Sequence, residues 1–220
     1  MILKIIKLKK ESKDSFSIIF EKPKSLNFYP GQYLDIALPI KERDKTRILS
    51  ISSSPSEDFL MVTYKTGISM YKHALRLLKP GNTVESSHPA GTVVIDDSSP
   101  LVMLAGGIGI APHRSMIKWA VDRNLNLPIT LIYSNSTRDF IFKKELDSLQ
   151  KKYPKLTIHN VVTSKDRRLD ITKLTTIVGS LVNKIFYLAG PPSIVDDFEK
   201  ILLKLGVDST NIRTDRFDGY

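Results

Sequence analysis

The sequence predicts a β domain followed by an α/β domain: an N-terminal antiparallel β-barrel and a five-stranded, parallel, doubly wound sheet. Three observations carry this prediction. The first part of the chain is built from short alternating apolar runs, the second part alternates strand-like and helix-like segments, and three glycines crowd the first strand-to-helix turn of that second part. We therefore expect two domains, residues 1–97 and residues 98–220.

The first domain contains six strand-like runs. They are ILKIIKL, FSIIFE, QYLDIAL, RILSIS, FLMVTYK and NTVESS. Turn signals such as YPGQ, SSPSED and KPGN separate them, which is typical of an antiparallel sheet or small barrel. The run SMYKHALRLL predicts one helix, whose apolar face would consist of Met70, Ala74, Leu77 and Leu78.

The second domain begins after the sequence DDSSP. Four apolar runs each precede a helical segment: LVMLA, ITLIYS, LTIHNVV and KIFYLAG. Parallel strands joined by crossover helices on both faces produce this alternation. The first helix is expected near PHRSMIKWAVDR, with Pro112 at its first position, where the missing N–H costs no hydrogen bond.

Composition excludes several kinds of chemistry. The chain has no cysteine, so disulfides, thiolate zinc sites, a cysteine nucleophile and a cysteine-ligated iron–sulfur cluster are excluded. The four histidines show no ligand spacing, and we expect no metal site. No apolar run approaches the roughly 20 residues that span a bilayer, and the N-terminus alternates apolar residues with lysine, so we expect no membrane insertion and a cytoplasmic protein.

The formal net charge of +10 leaves two interpretations open. A basic surface attracts an acidic partner, but lysines dispersed along the chain also fit a merely solvated surface. With one Trp and no recognisable nucleic-acid-binding module, no nucleic-acid partner is expected.

The glycines lie in the stretch LAGGIGIAP, as Gly106, Gly107 and Gly109. They follow the first strand of the α/β domain, at the point where an open parallel sheet usually binds its ligand. Glycine lets the backbone turn sharply and lets a phosphate approach the free N–H groups of the helix start. The alternative is a tight turn with no ligand, since the motif alone is weak.

A second polar cluster occupies RILSISS in the first domain. It offers the guanidinium of Arg47 and several hydroxyls on one strand. A strand alternates faces, so Arg47, Leu49 and Ser53 should share one side and Ser50 the other, unless a bulge intervenes. Such a strand could hold an anionic, aromatic ligand, or it could be a half-exposed strand with serine as filler.

In their order along the chain, these motifs resemble the ferredoxin-NADP reductase family, flavoproteins with a flavin-binding barrel followed by a nicotinamide-binding domain. RILSISS resembles the flavin motif Arg-x-Tyr-Ser-x-x-Ser, GIS the flavin-pyrophosphate segment, and SSHPAGTVV the Gly-Pro-x-Gly stretch. LAGGIGIAP resembles the nicotinamide pyrophosphate loop, LIYSNSTRDFIFKKEL the adenosine-binding segment, and YLAGPPSIV the Cys-Gly-Pro-Pro-x-Met motif. The resemblance covers nearly all 220 residues and implies FAD, or else FMN, together with NADPH or NADH.

The resemblance also implies roles for individual residues. Arg47 would pair with the flavin phosphate, and Ser50 would lie near flavin N5 as a catalytic residue. The other implied flavin-binding residues are Ile48, Leu49, Ser53, Tyr64, Gly67, Ile68 and Ser69. The implied nicotinamide-binding residues are Gly106, Gly107, Gly109, Pro112, Ser134, Asn135, Ser136, Arg138, Gly190, Pro191 and Pro192. Ser136 and Arg138 could receive the 2′-phosphate of NADPH, but they could equally begin a helix, so the preference for NADH or NADPH stays open.

Three residues depart from the family pattern, and the chain end offers two interpretations. Leu49 replaces an aromatic residue that packs on the flavin, His88 replaces the first glycine of Gly-Pro-x-Gly, and Ala189 replaces a cysteine beside the nicotinamide. At the chain end, Tyr220, assigned as catalytic, or Phe217 would cover the flavin ring; alternatively the end is a terminal strand with Phe217 in the core.

The function implied is transfer of hydride from NAD(P)H to flavin, then of single electrons to another carrier. Because the chain cannot hold a cysteine-ligated cluster, the acceptor is expected to be an acidic redox protein such as ferredoxin or flavodoxin, or a partner oxidoreductase subunit. The alternatives are the reductase component of a multi-subunit oxygenase or other redox complex, and a flavin-binding regulatory subunit with little turnover, suggested by Leu49 and Ala189.

Overall fold

Two β-sheets organise the computed structural model of the protein, which describes residues 1–41, 45–165 and 169–217. The first sheet has six antiparallel strands and the second has five parallel strands. The predicted fold class is therefore confirmed.

The strands of the first sheet coincide with the six predicted runs. They are β1 (Ile2–Lys10), β2 (Ser15–Glu21), β3 (Tyr33–Ala37), β4 (Thr46–Ser50), β5 (Phe59–Lys65) and β6 (Thr83–Ser86). Their order in the sheet is β4-β3-β6-β1-β2-β5, and a bridge between Ile51 and Val62 joins the two outer strands, so the sheet closes into a barrel. Alternate residues of each strand point inward and form one apolar core.

The predicted apolar face of helix α1 (Met70–Leu77) is only partly right: Ala74 and Leu78 pack against the barrel core, but they are not the most buried residues of this segment. Tyr71 and Leu75 are its buried residues, whereas Met70 and Leu77 are 57% and 64% exposed. The reason is the amphipathic tyrosine: its ring enters the barrel core while its hydroxyl donates a hydrogen bond of 2.8 Å to a β3 carbonyl. The helix is thereby anchored on its tyrosine side.

The second sheet follows the predicted alternation of strands and helices. Its elements are β7 (Leu101–Gly106), α2 (Ile110–Asp122), β8 (Ile129–Asn135), α3 (Lys143–Lys152), β9 (Leu156–Val162), α4 (Ile171–Val178), β10 (Ile185–Gly190), α5 (Pro192–Lys204) and β11 (Ile212–Arg216). The strand order is β11-β10-β7-β8-β9. Alternating β7 residues enter two separate cores, Met103 on the side of α2 and α3 and Val102 on the side of α5, so helices cover both faces.

Helix α2 begins earlier than the sequence predicts. A single 3-10 turn, Gly107–Gly109, leads directly into α2, so Pro112 is the third helical residue and not the first. The missing N–H of proline is still harmless there, because the first N–H groups of a helix have no partner within the helix.

The connection between the two sheets runs from β6 to β7 and contains the predicted boundary at residue 98. The Tyr187 hydroxyl of β10 donates to the Val94 carbonyl at 2.7 Å and accepts from the Asp96 amide at 2.8 Å. The Ile95 amide donates to the Pro30 carbonyl at 3.2 Å. The connection is therefore tied to both sheets. None of the helices described is long and apolar enough to cross a membrane.

Candidate functional site

A cavity of about 440 Å³ lies between the two domains. Its barrel side is formed by β3, β4, β5 and α1, and its other side by the turn before α2, the start of α2 and the end of β11. The sequence-predicted residues that line it are Arg47, Ile48, Leu49, Ser50, Tyr64, Ser69 and Phe217. The structure thus brings most of the predicted flavin residues to one site.

Part of the cavity is cationic. Arg47 and Lys72 line it, and the Arg47 guanidinium lies 5.5 Å from the centre of the Tyr71 ring. Burial, together with the nearby charges of Lys65 and Arg47, lowers the pKa of Lys72. Cations held this close together favour an anionic ligand such as a phosphate.

The start of α1 lies beside these cations. The Ser69 hydroxyl caps the helix by accepting from the Lys72 amide at 3.3 Å, as a helix-start serine commonly does. A Cβ on Gly67 would come within 2.8 Å of the Lys72 side chain, so glycine leaves room for that lysine. Ile68 is fully exposed and does not line the cavity.

The lining of the cavity also contains a hydrogen-bonded pair, Ser50 and Asp215. Burial raises the pKa of Asp215 to about 6, and the hydrogen bond with Ser50 opposes this rise. Tyr64 also lines the cavity and is almost completely buried, and burial raises its pKa to about 12, so its hydroxyl keeps its proton. The Ser50–Asp215 pair therefore combines a hydroxyl with a carboxylate that titrates close to neutral pH.

Asp215 and Lys72 are site residues that sequence reasoning missed. The signal for Asp215 lies in the register of the parallel sheet, where it pairs with Ala189 near the carboxyl end of β10. Residues at the carboxyl ends of parallel strands face the ligand site. If the sequence had been used to predict a last parallel strand that ends at Arg216, Asp215 would have been expected at that site. Lys72 belongs to the same helix start as Ser69 and could have been found by that proximity.

Glycine is required at several positions along the carboxyl edge of the second sheet, and the structural reason differs from one position to another. Gly107 has φ +54°, and a Cβ built on it would meet no heavy atom within 4 Å among the described non-neighbouring residues. On Gly109, a Cβ would lie 2.1 Å from the Ala189 carbonyl oxygen, and Gly190 packs against the Gly106 backbone. Gly109, Gly190 and Gly106 thus let strands and helix meet closely, whereas Gly107 leaves its backbone open to a ligand.

The remaining predicted nicotinamide residues lie along the same sheet edge but outside the cavity. Pro191 precedes α5 and Pro192 is its first residue, so the predicted rigid turn is present. At the end of β8, Ser134 is buried, and the Asn135 side chain donates to the Asp139 carbonyl at 2.9 Å and accepts from the Ser136 amide at 3.0 Å. Ser136 and Arg138 are exposed, just beyond this turn.

Ser53 and Pro112 are also outside the cavity. Ser53 is fully buried, and its carbonyl accepts a hydrogen bond of 2.6 Å from the Ser115 hydroxyl of α2. The backbone after Ser50 turns into the domain interface, which removes Ser53 from the strand alternation assumed for it. Pro112 is buried inside α2.

At the chain end, Phe217 lies between the cavity and the core of the second domain. It lines the cavity and also packs, partly buried, against the core of the second domain. Its amide donates to the Gly190 carbonyl at 3.0 Å, which extends β11 toward the site. Tyr220 lies outside the described residues. Within residues 1–41, 45–165 and 169–217, no group of three acidic or histidine side chains could hold a metal ion.

This arrangement defines a class: a two-domain module with an α/β domain packed against an antiparallel barrel, and between them a largely apolar cavity that also carries charged side chains. Residues 103–200 match the family model of the oxidoreductase NAD-binding domain. The chain as a whole has the fold of ferredoxin-NADP reductase, which agrees with the resemblance drawn from the sequence motifs.

Known proteins of similar sequence are longer than this chain. An NADPH oxidoreductase of Mycobacterium tuberculosis is 29% identical over 97% of the chain and 59% of its own length. The glycine betaine monooxygenase reductase subunit of Chromohalobacter salexigens is 26% identical over 92% of the chain and 60% of its own length. The chain spans about half to two thirds of the curated relatives it matches.

Solved structures share the fold at low sequence identity. The FAD/NAD-binding domain of a nitric oxide dioxygenase from Vibrio cholerae superposes with a TM-score of 0.86 and 21% identity, covering 98% of both chains. Ferredoxin-NADP+ reductase from Plasmodium falciparum superposes with a TM-score of 0.85 and 20% identity, covering 98% of this chain and 95% of the other.

Proposed function

We propose that the protein is a flavin-dependent NAD(P)H oxidoreductase that passes electrons to a separate redox partner. The observation that carries the proposal is the cavity between the domains, whose lining includes the cations Arg47 and Lys72 and the Ser50–Asp215 pair. When bound there, a flavin accepts a hydride from NADH or NADPH and releases electrons singly.

The residues of the cavity fit a flavin mononucleotide unit. Arg47 and Lys72 would hold its phosphate, assisted by Ser69 at the start of α1. The cavity lining also contains Leu49 and Tyr64, which suit a large planar ring. Leu49 gives aliphatic contact where an aromatic residue would stack. FAD is the expected form, with FMN as the alternative.

The second domain would hold the nicotinamide nucleotide at the carboxyl edge of its sheet. The open backbone at Gly107 lets a pyrophosphate approach the N–H groups that begin α2. Pro191 and Pro192 would support the nicotinamide, and Ser134, Asn135, Ser136 and Arg138 would face the adenosine half. Ser50 and Phe217, on opposite sides of the domain boundary, would fix the flavin ring between them.

The partner is proposed to be acidic. A net charge of +10 steers an acidic carrier toward the protein and raises its association rate at low salt. Relatives named as monooxygenase reductase subunits support a protein acceptor of the ferredoxin or flavodoxin type, or an oxygenase component. We also propose a cytoplasmic location, where metabolism supplies NAD(P)H; a cytoplasmic fraction lacking the protein would contradict it.

An anaerobic visible spectrum tests the proposed function. The purified protein, loaded with FAD or with FMN, is mixed with NADH or NADPH in separate cuvettes. We expect a yellow protein that bleaches, and the faster nucleotide identifies the physiological donor. A protein that stays yellow would be a flavin-binding regulatory subunit, and one that takes up neither flavin would contradict the flavin site itself.

A further inference from the structure

Arg114 of α2 is a buried cation whose partners come from both domains. Its side chain is 4% exposed. It donates two hydrogen bonds of 2.9 Å to the Glu57 carboxylate and one of 2.6 Å to the Ser52 carbonyl, both in the barrel domain. On its own side it binds the Glu145 carboxylate of α3 through Nε at 3.1 Å and through Nη2.

The segment that Arg114 holds is itself well ordered by hydrogen bonds. The Glu57 carboxylate also accepts from the Ser54 amide at 2.7 Å, which closes the loop between β4 and β5. The neighbouring Ser115 adds its bond to the Ser53 carbonyl. Residues 52–57 are thus fixed on α2 through both side chains and backbone.

This contact connects the two halves of the candidate site. The held segment begins two residues after Ser50, and α2 begins directly after the Gly107–Gly109 turn. A shift of the segment on α2 would therefore move Ser50 relative to the turn. Hydride transfer requires donor and acceptor atoms to be held within a narrow range of distance, and a displacement of 1 Å can cost about a hundredfold in rate.

The charges make the contact persistent. Burial lowers the pKa of Arg114, but its hydrogen bonds to Glu57 and its attraction to both carboxylates outweigh that and raise it, so the guanidinium stays charged at every accessible pH. Two carboxylates face one cation in a seam where Glu57 is 11% exposed. Loss of the bond to Glu57 would leave that buried carboxylate without its main partner.

We infer that Arg114, through Glu57, is a positioning residue that fixes the angle between the two domains and so aligns the nicotinamide with the flavin. This inference rests on the proposed function. It assigns Glu57 and Glu145 different roles, because Glu57 crosses the domain boundary and Glu145 does not.

The test compares Glu57→Gln with its matched control, Glu145→Gln. Each variant keeps the size of the side chain and retains one of the two carboxylates for Arg114, so the fold has a partner for the cation in both. In single-turnover reduction of the flavin-loaded protein, we expect E57Q to lower the limiting rate about tenfold or more. Its dissociation constant for NAD(P)H should stay within about twofold of the unchanged protein, because the nucleotide-binding turn is untouched. E145Q should keep both values.

A second measurement needs no cofactor. In differential scanning calorimetry, we expect E57Q to resolve the unfolding of the two domains into two transitions, whereas E145Q and the unchanged protein unfold in one. An unchanged limiting rate in E57Q, or an equal loss in both variants, would overturn the inference. If NAD(P)H fails to reduce even the unchanged protein, the proposed function fails, and the calorimetry then judges the interdomain role of Arg114 by itself.

Discussion

The hydroxyl of Ser50 and the carboxylate of Asp215 are hydrogen-bonded across the domain boundary. Ser50 ends β4 of the barrel, and Asp215 is the next-to-last residue of β11 in the parallel sheet. A pair made by two domains depends on how they pack, and burial gives its carboxylate a pKa of about 6. The ionisation of this pair should therefore be visible in the activity.

We predict that Asp215→Asn removes a pH-dependent step from flavin reduction. In the unchanged protein the carboxylate is neutral below pH 6 and negative above it. The negative form stabilises the positive charge that develops on the nicotinamide ring, so the reduction rate should rise about tenfold, or about 1.4 kcal/mol, as the pH increases through 6.

Stopped-flow reduction between pH 5 and pH 8 measures this effect. The profile of D215N should be flat and close to the low-pH rate of the unchanged protein. Asp147→Asn, which alters an exposed carboxylate on α3, should retain the original profile. A midpoint near pH 6 that persists in D215N would assign the titration to another group.

His113 is predicted to make the folded protein sensitive to acid. Its side chain is completely buried in α2, and among the described residues its Nδ1 has no hydrogen-bond partner. Burial lowers its pKa from 6.5 to about 3. The unfolded chain therefore binds a proton that the folded chain does not, and stability is lost as the pH falls below 6.5 and until it reaches about 3.

The replacement His113→Phe should remove this loss. We compare the free energy of unfolding of the variant with that of the unchanged protein. Relative to the unchanged protein, the variant should gain about 2 kcal/mol when the pH is lowered from 8 to 5. Urea unfolding at both pH values measures the difference. Parallel pH curves for the two proteins would show that His113 does not titrate as its burial implies.

Replacement by alanine should destabilise the protein much more at Gly109 than at the nearby Gly107. In Gly109→Ala the new Cβ would lie 2.1 Å from the Ala189 carbonyl oxygen, so we expect a loss of about 3 kcal/mol in unfolding free energy. In Gly107→Ala there is space within the protein, and the positive φ alone should cost about 1 kcal/mol.

Nucleotide binding, in contrast to stability, should be strongly affected by the replacement at Gly107. Its Cβ would occupy the space left open for the pyrophosphate, so G107A should fold and yet bind NAD(P)H about tenfold more weakly. Thermal unfolding and nucleotide titration of both variants measure the two effects. Undiminished nucleotide affinity in G107A would mean that the pyrophosphate does not approach this turn.

Lys72 is predicted to recognise the phosphate of the flavin. The variant Lys72→Met should bind FMN and FAD about tenfold more weakly, the value of one charge-assisted hydrogen bond. Riboflavin, which lacks the phosphate, should bind both proteins equally. The control Lys79→Met removes an exposed lysine just after α1 and should change neither affinity. Equal weakening for riboflavin would assign Lys72 to the ring and not to the phosphate.

Most of the fold could be predicted because the two domains differ in periodicity. Strands with turn signals every few residues indicate a barrel, and alternation of apolar strands with amphipathic helices indicates a parallel sheet. The face of α1 could not be predicted from aliphatic residues alone, because Tyr71 is its anchor and carries a polar hydroxyl.

The residues of the candidate site could be predicted where they belong to a single short sequence motif. Arg47, Ser50 and Gly107 belong to short segments that fold locally. Asp215 and Arg114 act through partners far away in sequence, which only the packing of the domains brings near. In the sequence, Arg114 is indistinguishable from a solvated basic residue on a helix.

The hydrogen bonds of Tyr187 to the interdomain connection have a consequence for handling the protein. A protease must draw several residues of extended chain into its cleft, and segments between domains are usually the first to be cut. Here Val94 and Asp96 are bonded to β10, and Ile95 is bonded to the barrel. The two domains should therefore resist separation by limited proteolysis, and a Tyr187→Phe variant should be nicked first between residues 93 and 97.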